Sequence, residues 1–368
     1  MNKPRILFSI PTRHHVEIAL DELEGIKELG YPVEQFYYAA KDGVHSKAGR
    51  LWVILMNAFA LVKIANQFSP DIIYFNSRLE KLAGMRDFIT IAICKIGYRR
   101  KVKFVIKSHG SDIDVLSDKN GVWGKWIMPY LKKNISGWLF LSTEEKRKVI
   151  ETDYLPADSL FITKNIVRTE QFKADDGFKA QLNIPADHQL LLFVGRIIEE
   201  KGVYEVIKGF AQIVEEHPAL TLIMVGDGSS YDGVKQLAQM LKISDRVIFT
   251  GFIPEQEVVK FYANCDILVF PTFFPEGFPM ALFNSVAAGM AVVTTPTRAA
   301  TDYLTDPENC LWVEPQNFYS VSNALNQLLN SHQLQDVMKK NNLIKGYEFS
   351  KVQVCVELAN ILKSIGNK

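Results

Sequence analysis

Cysteine is scarce and scattered. The four thiols, Cys94, Cys265, Cys310 and Cys355, lie far apart in 368 residues and form no C-x-x-C pair. That spacing implies no disulfide framework; reduced, buried thiols in a cytoplasmic protein are the simplest expectation. Long apolar runs are lacking too. The most apolar stretch, residues 51–68, is broken by Asn57, Lys63 and Asn66, which argues against a membrane span. The opening MNKPRILFSIPTRHH holds too short an apolar run for a signal peptide. No G-x-G-x-x-G follows the first apolar run, which argues against a dinucleotide-dependent oxidoreductase. Net charge is nearly absent, at +1, but it is unevenly placed. Residues 1–180 hold about 28 Lys and Arg against about 21 Asp and Glu, roughly +7, and the remainder is roughly −6. A basic half suggests an anionic partner: a phospholipid surface, a phosphorylated substrate or nucleic acid. Chance asymmetry of solvated faces is the plain alternative. No recognisable nucleic-acid module appears, so no nucleic acid is expected.

What is present is a globular composition, 48% apolar and 23% charged, in a chain long enough for two domains. Apolar strands at residues 5–10, 33–39, 71–75, 104–108, 137–141 and 160–163 alternate with helical runs at 16–29, 51–68, 88–96 and 143–152. Residues 168–188 are polar, carry Asp175-Asp176-Gly177 and Pro185, and read as a linker. Strands and helices then alternate again from residue 190 to residue 294. The pattern predicts an α/β protein of two Rossmann-like domains, each a parallel sheet covered on both faces. The expected domains are 1–170 and 171–345, with a C-terminal helix at 346–368 packing back on the first.

Ligands of open parallel sheets bind where strands end. After the strand at 190–194 comes Gly195-Arg196, then Lys201-Gly202. Arg offers a planar fork for phosphate oxygens, Lys a point charge, and glycine lets the backbone approach. A solvated loop is the bland alternative. Gly226-Asp227-Gly228 is weak alone. Gly251-Phe252-Ile253 could offer backbone groups and an apolar edge to a flat base. His109-Gly110-Ser111-Asp112 ends a strand in the basic half; His and Asp there could orient a hydroxyl or carry a proton. A helix-capping Asp and a satisfied histidine are the alternative. The stretch 270–294 places Glu276 and Gly277-Phe278-Pro279 just ahead of a helix start, where N–H groups point outward.

The order of these motifs is more specific than any one. Gly195-Arg196, Lys201-Gly202, Gly226-Asp227-Gly228, Thr250-Gly251-Phe252, Pro271-Thr272, Glu276-Gly277-Phe278, Ala287-Ala288-Gly289 and Val292-Val293 follow one another over about 100 residues. This resembles the donor-binding domain of the GT-B fold retaining glycosyltransferases of family 4, the glycosyl transferases group 1. Asp306-Pro307-Glu308-Asn309 continues the pattern, His109-Gly110-Ser111-Asp112 looks like the family's H-G-x-D, and His15-Val16 stands where the family has H-V. The first half matches more loosely, with Pro11-Thr12-Arg13 where a glycine pair is usual.

The resemblance implies two Rossmann-like domains facing each other across a cleft. It implies a retaining glycosyltransferase that moves a sugar from a UDP- or GDP-sugar to a saccharide or lipid-linked saccharide, in bacterial surface-polysaccharide assembly. Arg196 and Lys201 would hold the diphosphate as a leaving group. Glu276 would contact the donor sugar, and His109 would lie near the reacting sugar. Backbone N–H groups of Gly277, Phe278, Pro279-flanked Met280 and the glycine turns at Gly195, Gly226 and Gly251, with Phe252 and Ile253, would complete the donor site. Thr12, Arg13, His14, His15 and Asp112 would face the acceptor. No metal or other cofactor is expected, since no Asp-x-Asp stands in the right place and two cations with a helix N-terminus can serve instead.

Two departures stand out. The family has a second glutamate eight residues after the first, and this chain has Asn284. Asn keeps one acceptor for the ribose hydroxyls but loses the charge. Arg298-Ala299 stands where a glycine pair is common. The first half also interleaves bases and aromatics at Arg50-Trp52, Lys125-Trp126 and Tyr130-Lys132-Lys133. Such a surface suits peripheral contact with an anionic membrane at its cytoplasmic face, unless the aromatics are core. The rival readings are a non-catalytic nucleotide-binding relative and a GT-B fold nucleotide-sugar epimerase.

Overall fold

The computed structural model describes residues 3–12, 15–38, 46–118 and 120–367. Packing divides the chain into two units, Met1–Ile166 with Lys351–Lys368, and Val167–Ser350.

The first unit is built on six strands: β1 (Ile6–Ile10), β2 (Val33–Tyr37), β3 (Ile72–Leu79), β4 (Lys103–Ser111), β5 (Ile135–Phe140) and β6 (Leu160–Ile162). All pair in parallel, in the order β2-β1-β3-β4-β5-β6. Parallel pairing requires crossovers, and these are α1 (Val16–Glu28), α2 (Lys47–Phe68), α3 (Lys81–Gly97), α4 (Met128–Asn134) and α5 (Thr143–Glu151). Helices on both faces explain why β1 is buried at every residue and reads as a continuous apolar run. The strand order turns back on itself between β1 and β3, which marks the ligand crevice of such sheets.

The second unit repeats the plan with β7 (Gln189–Val194), β8 (Leu220–Val225), β9 (Val247–Gly251), β10 (Ile267–Phe270), β11 (Ala291–Thr294) and β12 (Leu311–Trp312). Their order is β12-β11-β10-β7-β8-β9, again parallel, and the reversal lies between β7 and β10. The helices are α6 (Phe178–Gln181), α7 (Val203–Ile213), α8 (Tyr231–Met240), α9 (Glu255–Asn264), α10 (Met280–Ala287), α11 (Arg298–Tyr303), α12 (Phe318–Leu329) and α13 (His332–Gly346).

The last helix, α14 (Lys351–Asn367), belongs to the first unit. Its apolar residues Val354, Cys355, Leu358, Leu362 and Ile365 recur at helical spacing and join Ile6, Phe8, Ile72 and Tyr74 in one core. Gly25 of α1 allows the close approach, because a β-carbon there would strike the Cys355 sulfur. Lys351 fastens the helix by ion pairs to Glu24 (2.6 Å) and Glu28 (2.8 Å).

The unit boundaries fall at 166/167 and 350/351 rather than 170/171 and 345/346. Residues 168–188 are also not a free linker. Phe172 packs edge-on against Tyr262, and buried Phe178 against Phe261, so apolar anchoring outweighs the polar composition. Helix α3 begins at Lys81, earlier than expected, and β3 runs on to Leu79.

Candidate active site

Three loops converge at the carboxyl ends of β7, β8 and β9. The Gly195 amide donates to the Val225 carbonyl (3.0 Å) and the Gly226 amide to the Gly251 carbonyl (3.0 Å). Ile197 donates to the Asp227 carbonyl (2.9 Å). Gly226 has φ 135, and a β-carbon there would overlap the Gly195 carbonyl oxygen. Only glycine fits that crossing of two backbones. Beyond it the aromatic face of Phe252 is 76% exposed, with Ile253 half-buried beside it.

The loops after β7 and β10 are tied in the same way. The Glu200 carbonyl accepts from the amides of Phe273 (2.9 Å) and Phe274 (2.8 Å). Gly202, with φ 72, closes the turn against the Pro271 carbonyl. This ties Lys201 and Glu276 together at the reversal point of the sheet. The Lys201 ammonium contacts the Glu276 carboxylate, and their side chains are 9% and 17% exposed. The same ammonium lies 4.9 Å from the Phe274 ring centre and 5.5 Å from that of Phe270. The Arg196 guanidinium sits over Phe274 at 5.0 Å, itself exposed. Burial, and then the Arg196 charge, push the Lys201 ammonium down to about 8; the touching carboxylate works against that shift.

Glu276 leads directly into α10. Pro279 caps that helix without a side-chain hydrogen bond, which leaves the first-turn amides, Met280 among them, for other acceptors. Phe278 is buried and stacks on Phe283 at 3.9 Å, within an aromatic group that includes Tyr303 and Phe349. Its ring therefore anchors the loop, and only its backbone is on offer, beside that of Gly277. Asn284, one turn into α10, is half-buried and lies near the Tyr262 hydroxyl. Burial raises that phenol well above its ordinary value. Arg298 has φ 24, the backbone region glycine prefers, where the resemblance led to glycine.

In the first unit, β3 and β4 bring a second group together. His109 is buried, and its Nε2 lies 2.8 Å from Asn76 Oδ1. The Asn76 amide nitrogen donates to the Ser9 carbonyl (3.0 Å), which fixes the oxygen toward the histidine. Nε2 therefore carries the proton, and Nδ1 is a buried acceptor with no hydrogen-bond partner. Burial, then the charges of Lys107, His15 and Arg78, hold His109 well below its ordinary value. His15 stacks on its ring at 4.4 Å. Thr12 and Asp112 are exposed, and Asp112 makes no capping bond to the turn after it. Arg13 and His14 lie outside the described residues. Among the described residues, no group of three or more His, Cys, Asp or Glu side chains is arranged to hold a metal ion.

The family of the second unit follows from its sequence. Residues 175–343 match the family model Glycosyl transferases group 1. The second unit is a group 1 glycosyl transferase domain. The chain is 25% identical over 230 residues to an uncharacterized glycosyltransferase of Methanocaldococcus jannaschii, covering 61% of this chain and 58% of that protein. It is 24% identical over 232 residues to the capsular polysaccharide biosynthesis glycosyltransferase CapM of Staphylococcus aureus, covering 59% and 60%. The chain thus spans less than two thirds of these curated relatives. Anabaena HepE, solved in complex with UDP and glucose, superposes with a TM-score of 0.73 at 19% identity, covering 98% of this chain and all of that one. The chain has that GT-B fold, and the group 1 domain carries the Arg196, Lys201 and Glu276 cluster.

Several residues of these sites escaped the sequence. Asn76 follows the apolar run Ile72-Ile73-Tyr74-Phe75 inside β3, beside the reversal point, a place where a lone amide is informative. Lys107 is the one charge in the strand core of β4, and it is fully buried against Glu22 of α1 at 2.5 Å. Tyr262 gives no sequence signal beyond helical spacing.

Proposed function

We propose that the protein is a retaining, metal-independent glycosyltransferase that moves a sugar from a nucleoside-diphosphate sugar to a saccharide or lipid-linked saccharide. The reading rests chiefly on one observation: Arg196, Lys201 and Glu276 meet ahead of α10 at the reversal point of the sheet. The donor would divide the Lys201–Glu276 pair, its diphosphate taking the ammonium and its sugar hydroxyls donating to the carboxylate. Arg196, Lys201 and the first-turn amides of α10 would then stabilise the charge that grows on the leaving diphosphate. The exposed Phe252 face and the backbone at Gly251 and Ile253 suit a flat base, and Asn284 suits the ribose.

Retention follows if the acceptor hydroxyl attacks the face from which the diphosphate departs. The bond from the anomeric carbon to the phosphate oxygen breaks, the bond to the acceptor oxygen forms, and the acceptor proton passes to the diphosphate. Neutral His109 would accept a substrate hydroxyl on Nδ1. Thr12, His15 and Asp112 are the acceptor-side groups. UDP is preferred over GDP because HepE is described with UDP. The name of the Staphylococcus aureus relative, a capsular polysaccharide biosynthesis glycosyltransferase, supports surface-polysaccharide assembly.

The test is donor-dependent transfer to a panel of saccharide and lipid-linked acceptors, with the anomeric configuration read by NMR and EDTA present throughout. Retained product in EDTA supports the proposal. Donor epimerised without acceptor, or nucleotide binding with no turnover, overturns it.

A further inference from the structure

The first unit carries a surface that the donor chemistry does not use. Helix α2 buries one face, Val53, Ala58, Leu61 and Ala65, against its own unit. The opposite face is apolar and exposed: Trp52 is 64% exposed, Met56 50% and Phe59 59%. These follow at i, i+4 and i+7, so they form one stripe. Cations bracket it, Lys47 and Arg50 before and Lys63 after, and α2 contains no acid. Helix α3 packs beside α2, and the turn at Trp123–Ile127 packs beside α3. Both extend the pattern, with Leu82 74% exposed and Trp126 70% exposed.

Charge identifies the partner. Residues 46–68, 81–101 and 120–135 hold twelve Lys and Arg and a single acid, Asp87. Asp87 is buried and bound by Tyr38 (2.6 Å), Ser77 (2.5 Å) and Arg86 (3.2 Å). At the edge of these segments Asp118 pairs with Lys81. The first unit as a whole has 28 Lys and Arg against 19 Asp and Glu, +9, and the second 14 against 22, −8. An isologous dimer would set this basic face against itself, which disfavours a second copy. Exposed Trp, Phe and Met on one helical stripe, flanked along α2 by Lys47, Arg50 and Lys63, match the interface of an anionic bilayer. Helix α2 is long and apolar enough to span a membrane by composition, but spanning would strip its buried face from the core.

We propose that the first unit docks on an anionic lipid bilayer with α2 lying in the interface and Trp52, Met56 and Phe59 among the acyl chains. The surface is independent of the donor site, so its test needs no turnover. The whole protein is sedimented with phosphatidylcholine vesicles, with and without one third phosphatidylglycerol, in low and high salt. Binding should be at least about ten-fold tighter with phosphatidylglycerol and weaken in high salt. A variant combining Trp52→Ser, Met56→Ser and Phe59→Ser should lose about ten-fold of that affinity with an unchanged Tm, since all three side chains are exposed. Equal vesicle binding by the variant, or no wild-type preference for phosphatidylglycerol, overturns the proposal. So does a wild-type dimer that the variant converts to monomer, which would make the stripe a protein interface.

Discussion

Glu276 contacts the buried ammonium of Lys201 at the point where the strand order of the second unit reverses. The two residues are 75 positions apart, and two hydrogen bonds to the Glu200 carbonyl hold their loops together. A buried cation needs a counter-charge, and this one has it before any donor arrives.

Glu276→Ala should therefore separate binding from turnover. Transfer should fall about 10²–10³-fold, the usual cost of removing one preorganised polar group at a reacting centre. Affinity for the nucleoside diphosphate alone should hold or rise, because Lys201 is released to it. Transfer kinetics with calorimetry of the diphosphate check both halves. Equal losses in both would make Glu276 a structural residue only.

The depressed ammonium sets the alkaline side of the pH profile. Lys201 is charged below about 8 and loses its charge above it, so kcat/KM should fall on an alkaline limb at or above that pH. Saturating donor should push the limb higher, since a bound diphosphate favours the charged form. Glu276→Gln, measured on its residual activity, should move it lower by removing the counter-charge. Lys201→Arg should abolish the limb within the measurable range.

Strand–helix alternation made both sheets legible, because parallel strands buried on two faces leave continuous apolar runs such as residues 190–194. The order of the glycine-bearing turns made the group 1 domain legible, since crossings such as Gly226 on Gly195 tolerate no side chain. The partners of the first unit's histidine were not legible. Asn76 and His109 lie 33 residues apart and meet only when β3 and β4 pair. Exposure was only partly legible: the sequence places Trp52, Trp126 and Tyr130 on a surface, with core as the alternative, and the structure leaves both tryptophans exposed, while Tyr130 packs on Phe88 at 4.9 Å.

Gly226→Ala tests the backbone crossing. The new methyl group would strike the Gly195 carbonyl, and φ 135 is strained for any other residue. A loss of roughly 2–4 kcal/mol is expected. It should appear as a lower Tm by circular dichroism; an unchanged Tm would mean the loops separate without cost.

Asn76→Asp tests the protonation state of His109. The wild-type ring is held neutral by burial and by Lys107, His15 and Arg78, so its proton should contribute no acid limb near pH 6–7. An adjacent carboxylate favours the imidazolium. The variant should gain an acid limb in kcat/KM, with activity falling as pH drops through the raised value. NMR titration of the ring should show the same shift, whether or not the enzyme turns over.

Asn284 poses the sharpest question, because a buried phenol lies beside it. Its side chain lies near the Tyr262 hydroxyl, and Tyr262 is buried. With part of the amide turned to Tyr262, Asn284 offers the ribose hydroxyls a neutral carbonyl acceptor. A carboxylate can accept from the tyrosine and still accept from the ribose with its second oxygen, with charge-assisted bonds. Asn284→Glu should therefore tighten donor binding about five- to ten-fold, a gain of about 1 kcal/mol for one such bond. Tyr262→Phe should weaken binding in the wild-type background, because the amide loses its orientation. It should weaken it less in the Asn284→Glu background, where charge replaces orientation. Calorimetry of the nucleoside diphosphate across this double-mutant cycle measures the coupling directly. Four equal affinities would place the ribose away from α10 and remove Asn284 from the donor site.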